Sequence, residues 1–246
     1  MRLLHRIKKL TSSKSPPPRP EGLEDVKLVR SATARRVALR VDAARSRICL
    51  VVPKRTSEKF AWQFADNNRA WIKACLADLE KPVPFVDGAV IPIFGQPRTL
   101  RIIKHDKRIT EFKLTDTALE VRTSREDPAR NIRDYLYKLC MDTIVPMAHA
   151  KAASIDKKIM NIRLRDTRQR WGSCASNTRM MFCWRLVFAP MIVVDYIVGH
   201  EVAHLKHMDH SRKFWAQCDA LTEDMNYSRQ WLAGNGDKLM MFGLQK

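Results

Sequence analysis

A chain of 246 residues and 28.5 kDa can hold one large domain or two small ones, and 45% hydrophobic residues exclude a mostly disordered or collagen-like molecule. Lys plus Arg reach 45 against 26 Asp plus Glu, and the resulting net charge of +19 points either to an acidic partner or to plain solubility. Six scattered cysteines without a Cys-x-x-Cys pair exclude a zinc ribbon and a dithiol redox motif and fit a cytoplasmic setting, and no run of about 20 apolar residues is present to span a membrane.

The charge is concentrated early. Residues 1–60 carry 16 basic and 5 acidic side chains, against 14 and 12 in residues 61–150 and 15 and 9 in residues 151–246. No Phe, Tyr or Trp precedes Phe60, so this stretch has no platform for stacking bases. Phosphate contacts, with DNA or another polyanion, stay open as a role beside solubility. Residues 1–24 read as a basic, Ser/Pro-rich tail, because prolines near Pro16–Pro20 deny both helix and ladder.

Folding is expected from Asp25, with residues 25–125 as a strand-rich N-terminal part around one helix. Arg36–Val41 and Ile48–Val52 alternate with a period of two and form the arms of a basic-faced hairpin. Ser57 caps a helix to about Leu79, and Phe60, Phe64 and Trp71 recur along it as core positions. Three β-like runs follow at Val90–Phe94, Thr99–Ile103 and Phe112–Val121, the last with a turn near Thr115–Thr117. From Glu126 the period becomes helical to about Ser154, with a break or kink near Pro146, and residues 126–246 read as a mostly helical catalytic part.

The chemistry concentrates in His200-Glu201-Val202-Ala203-His204. The preceding Met191–Gly199 is apolar nearly all round, as in a helix buried through a core, and Pro190 suits its first position. Histidines four apart share one face of a helix and can reach one Zn²⁺. Glu201 sits beside the first ligand, where it can take a proton from metal-activated water without binding the metal. A catalytic ion needs a third protein ligand, and His210, six residues after His204, can approach from a new direction once the helix has ended. His207 is the alternative, although three imidazoles in line on one helix face make poor tetrahedral vertices. Asp209 reads as a hydrogen-bond partner or cap.

Arg170-Trp171-Gly172-Ser173-Cys174, then Trp184 to Pro190, the pentad, and His207 to Trp215 together closely resemble the YgjP-like metallopeptidases. These are similar to SprT-like and Spartan-like zincins. The likeness spans roughly residues 35–220. It implies an α+β zincin fold, zinc at His200, His204 and His210, Glu201 as catalytic base, and a peptide or protein substrate.

Met180–Val187 reads as a strand entering the metal helix and as the edge that pairs with an extended substrate. Arg170 and Arg185 are either structural cations, pairing with a carboxylate such as Asp195, or groups that stabilise an oxyanion, and Trp171 and Trp184 beside them are packing anchors. Two readings from other classes stay open. In one, the protein is a nucleic-acid binder or adaptor whose zinc is structural or vestigial, closed by a fourth ligand such as Cys174 or Cys183; in the other, it is a protease acting on DNA-associated proteins. Cys174 as a thiol nucleophile is a further alternative.

Overall fold

The structure is a computed structural model that describes residues 19–42, 47–78, 81–168 and 170–243. They form two compact units, residues 19–42 with 47–78 and residues 81–243. Most of the expected tail lies outside the described residues. Of its last positions, Leu23 is 1% exposed and belongs to the core of the first unit, so packing starts before Asp25.

In the first unit, β1 (Val26–Ser31), β2 (Ala38–Asp42) and β3 (Arg47–Pro53) form a sheet in the order β1-β3-β2. The two expected strands pair antiparallel with Leu39 opposite Leu50, and β1, which the alternation did not reveal, runs parallel to β3 with Leu28 opposite Leu50. Ser57 caps α1 (Glu58–Asp66) by accepting the Phe60 amide. The single helix expected to Leu79 is two, because the chain breaks at Asn67–Asn68 and resumes as α2 (Arg69–Asp78). Ala61, Trp62, Ala65 and Ile72 are buried, whereas Phe60 and Trp71 are 60% and 44% exposed, so among the expected aromatics only Phe64 packs on this core.

The second unit opens with β4 (Val90–Ile93), β5 (Gln96–Lys104), β6 (Glu111–Leu114) and β7 (Ala118–Thr123), in the order β4-β5-β7-β6. Pro92 sits in an end strand, where a missing amide is tolerated. α3 (Ala129–Ala153) follows and runs through Pro146 without interruption. Ile132, Leu136, Cys140, Ile144, Ala148 and Ala152 are buried along it. The boundary expected near Glu126 falls inside this unit. Leu100, Leu119 and Val121 share one core with Ile132 and Leu136, and a common core cannot be cut where the period changes.

Beyond α3 lie β8 (Asn161–Arg165), β9 (Gly172–Cys174) and β10 (Arg179–Cys183), in the order β8-β10-β9. β10 is therefore the central strand, parallel to β8 and antiparallel to β9. The substrate edge expected at Met180–Val187 is corrected by this order: both sides of β10 are already paired, and the free edge nearest the pentad belongs to β9. After Cys183 the chain turns through a 3-10 segment, Trp184–Phe188, before α4 (Met191–Ala203). α5 (Arg212–Ala220), α6 (Met225–Asn235) and a 3-10 turn at Gly236–Met241 complete the unit. The mixed α+β architecture is as expected.

α4 is buried along most of its length and touches α3, α5, α6 and β9. Gly199 permits this enclosure. A Cβ there would lie 2.4 Å from Thr222 Cγ2 and 3.0 Å from the Leu221 carbonyl oxygen. Polar ties hold α4 in place: Lys151 Nζ lies 2.6 Å from Asp195 Oδ1, the Glu223 amide donates to Asp195 Oδ2 at 3.1 Å, and the Ser228 hydroxyl donates to the Ile192 carbonyl at 3.1 Å. Among the described residues no helix is long and apolar enough to cross a membrane, and all six cysteines are free thiols.

Candidate metal centre

His200 and His204 stand one turn apart at the C-terminal end of α4, with ring centroids 5.1 Å apart. The helix ends at His204 and a short turn sends the chain back, so His210 arrives from the loop before α5. The ligand atoms of His200, His204 and His210 lie within 4.8 Å of one another. His210 Nε2 is 3.4 Å from His200 Nε2. His207 stays outside this cluster, but its carbonyl oxygen lies 2.9 Å from His204 Nδ1 and so leaves Nε2 of His204 to face the other rings. The Ser211 hydroxyl, and then the Ser211 amide that Asp209 accepts at 3.2 Å, hold the Asp209 carboxyl below the usual range, a turn contact. Phe214 stacks on His204 at 4.4 Å and backs the cluster with an apolar ring.

Burial sets the electrostatics. It pushes His200 down to about 4, with the neighbouring His204 and His210 adding to the effect, and it also lowers His204. Neutral imidazoles present lone pairs. His200 Nδ1 is moreover buried without a hydrogen-bond partner. Three converging imidazoles are a donor set suited to a borderline divalent ion, and no fourth His, Cys, Asp or Glu joins them among the described residues.

Glu201 is 5% exposed, and its burial raises the carboxyl to about 8, against the opposing pull of Arg170 and the Cys174 amide. Gly172 makes room for it. A Cβ at 172 would fall 2.5 Å from Glu201 Oε1, so a side chain on this strand would displace the carboxylate.

Two clefts meet at Glu201. One, of about 360 Å³, is lined by the three histidines with Arg170, Gly172, Ser173, Cys174 and Met208. The other, of about 350 Å³, adds Trp171, Tyr196 and Arg229 to His200 and Glu201. Tyr196 could have been found from its place four residues before His200; Arg229, on α6 and 4.9 Å above the Trp215 ring, left no local signal.

The arginines separate by role. Arg185 is buried; it ion-pairs with Asp166 at 2.7 Å and donates to the carbonyls of Leu239, Met240 and Phe242, so its partner is Asp166 and not the expected Asp195. Arg170 is exposed and lines both clefts. Burial, then the Glu201 charge, pushes the Cys174 thiol up to about 11, which leaves it protonated and unsuited to nucleophilic attack. Cys183 donates to the Thr167 carbonyl and is likewise not part of the histidine cluster.

The family model for the YgjP-like metallopeptidase domain matches residues 35–235, which contain the whole cluster. The chain belongs to this family. A YgjP-like metallopeptidase domain is a metal-dependent hydrolase of peptides or proteins, and the three histidines are a group that could hold a metal ion. Searches of curated proteins and of solved structures returned no significant match. The YgjP-like match covers parts of both compact units.

Proposed function

We propose that this protein hydrolyses peptide bonds with one zinc ion held by His200, His204 and His210 and with Glu201 as general base. The supporting observation is the composition of the cluster: three imidazoles and no fourth side-chain ligand among the described residues, beside a buried carboxylate at an open cleft. A structural site would be closed by a fourth protein ligand, and neither Cys174 nor Cys183 supplies one. When bound, zinc would acidify a water and polarise the scissile carbonyl.

The chain supplies the rest. Glu201 accepts the proton of the attacking water at a carboxylate oxygen and returns it to the departing amine, a task served by a carboxyl held near neutrality. Tyr196 and Arg229 line the neighbouring cleft as donors for the carbonyl oxygen as it gains charge. β9, an end strand beside the cleft, offers backbone groups with which an extended peptide can pair.

Glu201→Gln tests the reading. Zinc content by elemental analysis should equal that of the wild type, while cleavage of a fluorogenic peptide mixture falls by about 10²–10⁴. Wild-type turnover by the variant, or no cleavage by the zinc-loaded wild type, would remove the proposal.

A further inference from the structure

The three-stranded sheet beside the metal centre has a second face. In β8 the sequence Asn161-Ile162-Arg163-Leu164-Arg165 alternates, so Ile162 and Leu164 are buried while Arg163 and Arg165 stand outward and exposed. Cross-strand register places Met181 beside both Arg163 and Ser173, and Arg179 opposite Asn161. These residues, with Arg168 and Arg170, border a groove of about 740 Å³, roughly twice the volume of the histidine cleft at about 360 Å³. Five arginines line it and no carboxylate does.

Arg168 and Arg170 act at a distance on the Asp166 and Glu201 carboxyls. Among the described residues none of the five forms an ion pair with a carboxylate. Arg163 donates to the Asn161 side-chain oxygen and Arg179 to the Met160 sulfur, both neutral partners. The nearest acid in sequence, Asp166, is committed to Arg185. Arg163, Arg165 and Arg179 thus gather like charge on one face with no carboxylate ion pair among the described residues, which disfavours the free protein, and an anionic ligand reverses that balance.

The groove also runs into the candidate active site. Arg170 and Ser173 line both the groove and the histidine cleft, so a chain lying over β9 reaches both. The occupant follows from the lining. Met181 and Ala175 give apolar floor, and no aromatic side chain lines the groove to stack a base. Guanidinium forks bind carboxylates bidentately, and arginines two apart on a strand match alternate side chains of an extended peptide at about 6.6 Å.

We propose that the outer face of the β8-β10-β9 sheet is a recognition groove for acidic polypeptide, which seats Asp and Glu side chains flanking the bond presented at the metal centre. The cleavage part of this inference rests on the peptidase reading above; the binding part does not.

Two measurements test it together. In the first, a fluorescein-labelled Asp/Glu-rich peptide is titrated with the protein by fluorescence anisotropy at low and physiological salt. The wild type binds, and the Arg163→Glu/Arg165→Glu variant binds at least about tenfold more weakly, in line with loss of charge-assisted hydrogen bonds. Arg163→Gln/Arg165→Gln, which removes charge without reversing it, gives an intermediate loss. Unfolding curves that match the wild type show that both variants are folded.

In the second, zinc-loaded enzyme cleaves matched peptides that differ only in flanking acidic or neutral residues. The ratio of kcat/KM for acidic over neutral peptide exceeds about tenfold in the wild type and falls toward one in the charge-reversal variant. Equal binding of the acidic peptide by wild type and variant, or tight binding of a single-stranded oligonucleotide with none of the peptide, overturns the groove assignment. Cleavage without acidic preference overturns the groove and leaves the peptidase reading standing. Acidic-peptide binding that depends on Arg163 and Arg165, with no peptide cleaved, supports the groove and removes the peptidase reading.

Discussion

The two faces of the β8-β10-β9 sheet come from alternate residues of the same three strands and differ in kind. On one face Ile162, Leu164, Met180 and Phe182 are buried in the core, and Gly172 lies against the Glu201 carboxylate. On the other, Arg163, Arg165 and Arg179 stand in solvent. Strand alternation keeps a dry, low-dielectric side, where the Glu201 carboxyl lies, one backbone away from a wet, cationic side. The difference teaches where substitutions should hurt: shape and donor identity decide on the inner side, charge on the outer.

The largest break is expected at the three histidines proposed to hold the ion. His210→Ala should weaken zinc binding at least ~100-fold, while His207→Ala, which keeps its backbone carbonyl, should stay within about threefold. Competition with a chromogenic chelator reads both, and the opposite order would move the third ligand to His207.

Gly172→Ala comes next. The new Cβ must push Glu201 aside, and a misplacement near 1 Å costs about 10²-fold in turnover with zinc content unchanged. Turnover equal to the wild type would show that the carboxylate position is not critical.

Arg185→Met should cost about 3 kcal/mol in a denaturant midpoint analysis, because Asp166 and three carbonyls of the C-terminal segment lose a donor that is largely buried. The pH profile sharpens this. Burial raises the Asp166 carboxyl, but hydrogen bonds and charge from Arg185 outweigh it and hold it below the usual range. Its contribution is therefore present above the ordinary carboxylate value of about 4 and is lost as pH falls below it, since the folded form resists protonation. The variant should lose stability less steeply over that acid range than the wild type.

The smallest effect makes the cleanest contrast between faces. Leu164→Ala should cost about 3 kcal/mol and Arg163→Gln within about 0.5 kcal/mol, one residue apart on the same strand. Equal losses in thermal unfolding would mean that the outer face is packed against something.

What could be read from the sequence follows the range of the interactions. The pentad, the all-round apolar α4 and the Ser57 cap are legible because each is a local pattern fixed by helical spacing. His210 is legible from its distance to His204. The exposure of Phe60 and Trp71 was hidden because each lies one residue before a buried position, Ala61 and Ile72, so a stripe read from the aromatics is offset by one from the stripe that packs. The central place of β10 was hidden for another reason, since strand order is decided by partners distant in sequence and period-two alternation is the same at an edge as in the middle. Arg229 and the Asp166–Arg185 pair belong to the same long-range class.

The contact between His204 Nδ1 and the His207 carbonyl has an evolutionary consequence. A ring oriented by a side chain can be lost through a single codon change, but a main-chain oxygen is present whatever residue occupies position 207. Selection at this point would act on the number of residues between His204 and His210 rather than on their identity. Substitutions across that loop would then be nearly silent, and the deletion of one residue would be fatal to the metal centre.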